Sequence, residues 1–237
     1  KILNRTSMPS TFDKYKTFYY FKKENETIPI VFIHGVGLTK EMWSPQINFF
    51  KDQNILTYDL IGHGKTPLEK TQLNFEDFVK QLLNLINELE LKKIHLVGFS
   101  FGSLVARHFA SEHSDRLSSL VLHASIYKKS IEQKIVVNNR FELMKLDKPA
   151  SKKNALRRWF TEEFIKTSSD IIECRIQQVI KTDPKIFMNV FRIYANTEMS
   201  PWLHKIKFPT LVLTGENDGA CNPRLNKFIA DQIPNSK

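Results

Sequence analysis

The chain has 237 residues, 41% of them hydrophobic and 25% charged, enough apolar material to bury the core of one globular domain with room for an inserted subdomain. Its 35 Lys and Arg outnumber 25 Asp and Glu for a formal net charge of +10, but no nucleic-acid-binding motif accompanies that charge, and no apolar run approaches the roughly 20 residues of a membrane-spanning helix. The two cysteines, Cys174 and Cys221, have neither the number nor the spacing of a disulfide frame or a metal site, so the expected setting is reducing and cytoplasmic, with no metal or cofactor.

In chain order, residues 15–22 alternate weakly as an edge strand, Glu24-Asn25-Glu26 turns the chain, and residues 28–34 form the next strand. Residues 43–50 make a short helix and 54–58 a third strand. The helix expected over 75–89 carries Phe75, Phe78, Val79, Leu82, Leu83, Ile86 and Leu89 on one face. Strands at 93–97 and 117–122 flank a helix in which Leu104, Val105, His108 and Phe109 recur at helical spacing. Between His123 and Trp202 strand periodicity gives way to helical segments broken near Pro149 and Pro184, and residues 210–213 are the last legible strand. The alternation predicts an α/β fold: a mostly parallel sheet with helices on both faces. A helical insertion at 126–203 divides the core into 1–125 and 204–237. Residues 127–200 hold 15 basic against 9 acidic side chains, and runs such as Lys152-Lys153 and Arg157-Arg158 fall at solvent-facing helical phases, so the charge reads as solvated helix surface rather than a binding patch.

All eight glycines fall in four close pairs, Gly35/Gly37, Gly62/Gly64, Gly98/Gly102 and Gly215/Gly219, at least three of them directly after a strand. Glycine lets backbone approach backbone or ligand without a Cβ in the way, so these loops point to one site assembled from strand ends. The third pair brackets a serine in Gly98-Phe99-Ser100-Phe101-Gly102. This is G-x-S-x-G between a strand and a helix, the turn that presents a strained serine at the top of a sheet.

With Val31-Phe32-Ile33-His34-Gly35-Val36-Gly37 and Trp43, Tyr58-Asp59-Leu60-Ile61-Gly62-His63-Gly64, the serine turn, and Pro209-Thr210-Leu211-Val212-Leu213-Thr214-Gly215-Glu216-Asn217-Asp218 in this order, the chain resembles the α/β-hydrolase fold superfamily. Within it, the resemblance is to the lid-bearing serine esterase and lactonase-like members. That resemblance implies Ser100 as nucleophile, the backbone N–H groups of Val36 and Phe101 as oxyanion donors, and Asp218 as the acid of a Ser-His-Asp triad. Glu216 competes with Asp218 locally; Asp59 precedes the serine, against the family order of serine, acid, histidine, and both read as loop-structural. It also implies a helical lid whose Phe141, Leu143, Met144, Trp159, Phe160, Phe164, Phe187, Phe191 and Tyr194 surround a substrate pocket, each of them expected to pack rather than to touch substrate.

The base is the departure from the pattern. All seven histidines, His34, His63, His95, His108, His113, His123 and His204, precede Asp218. His123, at a strand end near Ser100, is the nearest internal substitute, and the resemblance places the catalytic histidine after Lys237, with a last strand and a helix. Serine at position 100 argues against dehalogenase or epoxide hydrolase relatives, which use aspartate there. The expected reaction is hydrolysis of a small carboxylic ester or lactone, with a small-molecule substrate and neither nucleic acid nor membrane as partner. Carbon–carbon bond hydrolysis or acyl transfer by the same triad, and a non-catalytic ligand-binding protein of the same fold, remain the alternatives.

Overall fold

The computed structural model describes residues 9–126, 159–196 and 202–237. Seven strands form one sheet: β1 (Thr11–Phe12), β2 (Phe18–Lys22), β3 (Ile30–Ile33), β4 (Ile55–Tyr58), β5 (Ile94–Phe99), β6 (Leu117–His123) and β7 (Thr210–Leu213), in the spatial order β1-β2-β4-β3-β5-β6-β7. β1 and β2 join antiparallel, and β4, β3, β5, β6 and β7 run parallel. β3 and β4 are short apolar runs, and all four residues of β4 are buried, as expected of parallel strands covered on both faces. Beyond β7 the pairing continues: the Thr210 N–H donates to the Asn235 carbonyl (3.0 Å), Lys237 N–H to Thr210 (3.0 Å) and Val212 N–H to Lys237 (2.8 Å), a parallel contact alongside β7.

Seven α-helices are described: α1 (Ser44–Phe49), α2 (Phe75–Glu88), α3 (Phe101–Glu112), α4 (Glu162–Thr167), α5 (Ser169–Lys181), α6 (Pro184–Asn196) and α7 (Pro223–Asp231). α2 starts where Asn74 and Asp77 bond each other's backbone N–H in a capping box, and it buries Phe75, Phe78, Val79, Leu82, Leu85 and Ile86, its apolar stripe facing the sheet. α7 opens on Pro223, with Asn222 capping the Leu225 N–H. The main core joins β3 to β6, α2, α3, α5 and α6 into one apolar cluster; a smaller one on the opposite sheet face gathers Tyr20, Phe32, Trp43, Ile47 and Ile55.

The first expected strand departs from the sequence-based expectation in two ways. The strand expected from residue 15 starts at Phe18, because the Asp13 carboxylate holds a turn by accepting from the Tyr15 (3.0 Å) and Thr17 (2.6 Å) N–H groups, with Lys16 at φ 65°. Nor is that strand the edge, since Thr11–Phe12 pairs outside it. Arg107, fully buried on α3, donates to the Ile126 carbonyl (2.5 Å) and the Ser125 hydroxyl (3.3 Å), and its guanidinium lies 5.6 Å from the Trp202 ring centre. It thereby ties α3 to the chain on both sides of the insertion. Phe141, Leu143, Met144 and the runs Lys152-Lys153 and Arg157-Arg158 lie outside the described residues. No helix among the described residues is long and apolar enough to cross a membrane.

Candidate active site

Ser100 sits between the end of β5 and the start of α3 at φ 53°, ψ −117°, a conformation that costs a non-glycine residue about 1–3 kcal/mol and persists only where surrounding packing dictates it. Here the packing is backbone on backbone. A Cβ at Gly98 would lie 2.3 Å from the Gly102 carbonyl oxygen, and one at Gly102 would lie 2.5 Å from the carbonyl oxygens of both Ile33 and His34. The two glycines therefore let α3 leave β5 sharply and lean on the end of β3. The turn is pinned further by the Ser100 N–H donating to the His123 carbonyl (2.9 Å), and by the Ser103 N–H and hydroxyl donating to the Ser100 carbonyl (2.9 and 2.6 Å).

Phe101, next in the chain, is the first residue of α3 and fully buried. An N–H at that position has no intrahelical acceptor and lies at the positive end of the helix dipole. The second loop implicated by the sequence, His34-Gly35-Val36-Gly37, comes against the serine, since a Cβ on Gly35 would stand 3.3 Å from the Ser100 Cβ and 3.1 Å from the Phe99 ring. His34 holds that loop from inside. Its Nε2 accepts the Leu60 N–H (2.9 Å), so the neutral ring carries its proton on Nδ1, which donates to the Gly35 carbonyl (2.7 Å). Burial, then the neighbouring His63 ring 5.0 Å away, hold its pKa well below the ordinary histidine range. His34 is thus a fixed neutral strut.

Asp218 lies in the loop after β7. Its Oδ1 accepts the N–H groups of Ala220 (2.9 Å) and Cys221 (2.8 Å), while Oδ2 has only a long contact, 3.4 Å, from the Thr214 hydroxyl, which also donates to the Cys221 carbonyl at 2.7 Å. One carboxylate oxygen closes the loop and the other keeps its accepting capacity. Glu216 is exposed. Asp59 is buried and bonded into structure, accepting the Lys40 (2.8 Å) and Lys65 (3.0 Å) N–H groups, and burial pushes its pKa up to about 6.

The histidines divide by surroundings. His63 is buried, with Nδ1 on the Ile61 carbonyl (3.0 Å) and burial pulling it down to about 4. His95 bonds the Ser119 hydroxyl (2.8 Å), His108 lies between Glu76 and Glu112, the His113 ring lies tilted 5.0 Å from Phe109, and His204 is exposed. His123 ends β6 with its ring 5.0 Å from Phe99; burial lowers its pKa, and the nearby Asp218 charge opposes that shift.

The helices of the insertion press on these loops. Cβ atoms added at Gly37 and Gly62 would meet Phe187 Cζ at 2.7 Å and Ile186 Cδ1 at 2.8 Å. Asn189 and Arg192 fasten α6 to the core, Asn189 Oδ1 accepting the Leu73 N–H (2.7 Å) and Arg192 Nη2 donating to the Leu73 carbonyl (2.7 Å). Trp159 and Phe164 are exposed, whereas Phe187 and Tyr194 are buried. Tyr194 packs its ring edge-on against Phe101 (centres 5.9 Å apart) and near Phe191 (6.1 Å).

A model of the alpha/beta hydrolase fold matches residues 28–156. The chain is 29% identical over 222 residues to (E)-2-((N-methylformamido)methylene)succinate hydrolase of Acinetobacter baylyi, covering 92% of this chain and 82% of that protein. It is 28% identical over 207 residues to 3-oxoadipate enol-lactonase 1 of the same organism, covering 86% and 76%. Among solved structures, a thermophilic esterase from Thermogutta terrifontis matches with a TM-score of 0.83 at 26% identity, over 97% of this chain and 86% of that one. With the family match spanning more than half of its length, the chain belongs to the alpha/beta hydrolase fold family.

Proposed function

We propose that the protein is a serine hydrolase of a small carboxylic ester or lactone, working through an acyl-enzyme on Ser100. The observation that carries this reading is the strained Ser100 at the N-terminus of α3, against the Gly35 loop. Attack by Ser100 Oγ on the carbonyl carbon forms the ester bond to the enzyme while the carbonyl oxygen becomes an oxyanion. The N–H groups of Phe101 and Val36 receive that charge; fixed donors of this kind are worth about 2.7–4 kcal/mol each in the transition state. The serine proton passes to an imidazole and from there to the leaving oxygen. Water, deprotonated by the same imidazole, then releases the acid and restores Ser100.

In this reading Asp218 orients the imidazole through Oδ2, with Oδ1 engaged in holding its own loop. The family order places the base later in the protein than Asp218; His123, which feels the Asp218 charge, is the internal alternative. The inserted helices act as the lid, with Phe187 and Phe191 among the side chains bounding the acyl pocket. An enol-lactonase among the relatives supports the lactone or ester class.

The test is turnover of p-nitrophenyl acetate and a small lactone by the full-length protein and its Ser100→Ala and His123→Asn variants. Ser100→Ala should lose turnover to background, and His123→Asn should retain it within tenfold. Undiminished activity in Ser100→Ala contradicts the proposal, and loss in His123→Asn comparable to Ser100→Ala reassigns the base to His123.

A further inference from the structure

Asp218 stands in a loop that packing does little to hold. Residues 215–217, 219 and 220 are exposed; a Cβ added at Gly219 would meet nothing within 4 Å, and one at Gly215 only the Asp218 Cβ at 4.0 Å. The chain returns to the interior at Cys221, which is 5% exposed. The Cys221 N–H donates to Asp218 Oδ1 (2.8 Å), and its carbonyl accepts both the Thr214 hydroxyl (2.7 Å) and Nδ2 of Asn226 (2.7 Å). Asn226 lies on α7, is 3% exposed, and grips a second segment with the same amide. Its Oδ1 accepts the Ser125 N–H (3.1 Å), and Nδ2 donates to the Ser125 carbonyl (3.2 Å), with a longer contact to the Asn222 carbonyl (3.3 Å). Ser125 follows Ala124, whose φ of 51° turns the chain out of β6, and its hydroxyl receives Arg107 of α3. One side chain thus joins the Asp218 loop to the exit of β6 and, through Arg107, to the helix that begins after Ser100.

We propose that Asn226 is a positioning residue for Asp218, its amide setting where the Asp218 loop stands relative to Ser100. This rests on Asp218 being the acid of the triad. A triad acid must lie within hydrogen-bond reach of an imidazole that itself reaches Oγ, and a misplacement of about 1 Å in such a constellation costs on the order of 10²-fold in rate. An exposed loop with few packed contacts does not keep that tolerance by itself, so the bonds that fasten it to rigid elements do. Thr214 closes the loop from within, whereas Asn226 lies outside it and ties it to the core. A carboxamide suits this task because it offers an acceptor to one N–H and donors to two carbonyls at once. Its removal frees the Cys221 carbonyl from α7 while leaving every bond to the two Asp218 oxygens in place.

The test is a double-mutant cycle on the full-length protein, with kcat and KM for p-nitrophenyl acetate. Alone, Asn226→Ala should lower kcat by about 10- to 100-fold with KM within about threefold. In an Asp218→Asn background the same substitution should cost less than about threefold, because the orientation it serves is already lost. Asn189→Ala is the comparison: Asn189 is another buried asparagine bonded to backbone, on α6, and its factor should be the same in both backgrounds. Thermal melts establish that the variants fold. If Asn226→Ala does not, Asn226→Ser, which keeps one hydroxyl and loses the paired amide donors, is carried through the same cycle. Equal factors for Asn226→Ala in the two backgrounds, as a merely structural role would give, overturn the proposal, and so does a fall below threefold in the unmodified background. An Asp218→Asn variant that retains turnover within tenfold refutes the acid assignment instead, which separates the two failures.

Discussion

Replacing Gly102 by alanine tests whether the glycine spacing around Ser100 is a steric requirement of the fold. The added Cβ would stand 2.5 Å from two carbonyl oxygens, those of Ile33 and His34, with the Ile33 carbonyl carbon at 2.9 Å. All three are backbone atoms in or beside β3, so no side chain can swing aside; α3 must back away from the sheet and carry Ser100 with it. Alanine at a helix position gains up to about 1 kcal/mol over glycine. Overpacking that forces backbone to shift typically costs about 1–3 kcal/mol, so with rigid backbone on every side the clash wins by up to about 2 kcal/mol. For a chain of this length that lowers Tm by up to about 4–8 °C. Gly219→Ala is the internal standard, because nothing lies within 4 Å of its added Cβ, and its effect should stay within about 0.5 kcal/mol. Both are read by thermal denaturation and by urea titration with m held constant. Equal stability of Gly102→Ala and Gly219→Ala would refute the steric account of the Ser100 turn.

Asp218→Asn should leave the loop closed, since an amide oxygen still accepts the Ala220 and Cys221 N–H groups, yet lower kcat by roughly 10⁴-fold by favouring the wrong imidazole tautomer; a loss below tenfold, with a large one in Glu216→Gln, reverses the assignment. Stability should fall on acidification. His63, depressed by burial to about 4, contributes stability that is present above the unfolded value near 6.5 and lost as pH drops toward its folded value, about 2 kcal/mol by pH 5. His34, also depressed by burial, acts in the same direction, while Asp59, raised by burial to about 6, gains protonated-state stability over the same interval and returns about 1 kcal/mol. Urea midpoints at pH 7 and pH 5 should therefore differ less for His63→Asn than for the unmodified protein, and an identical pH response in the two contradicts this assignment.

What could be read from the sequence was what is local in the chain. The G-x-S-x-G turn needs only five residues and a strand and helix beside it, and the structure supplies both with Ser100 at positive φ. Burial on both faces made β3 and β4 visible as apolar runs, and the apolar stripe of α2 marked that helix to within a residue. The two-residue β1 escaped notice because Thr11–Phe12 is too short for any alternation to register. The role of His34 as a neutral strut depends on the Leu60 N–H across a different loop, and the approach of Phe187 to Gly37 on how α6 folds back over the core. Both are products of tertiary packing, and residue type and spacing carry no trace of them. Asp218 Oδ1 closes its own loop while Oδ2 has only the long Thr214 contact, a division between the two oxygens that residue type and spacing do not show.

The most direct measurement of the central claim is peptide mapping of the full-length protein after reaction with a fluorophosphonate at neutral pH. The account predicts one stoichiometric adduct, on Ser100, formed at a rate that falls with the loss of ester turnover across the variants above. An adduct on any other residue, or full ester turnover by protein whose Ser100 is blocked, would contradict it.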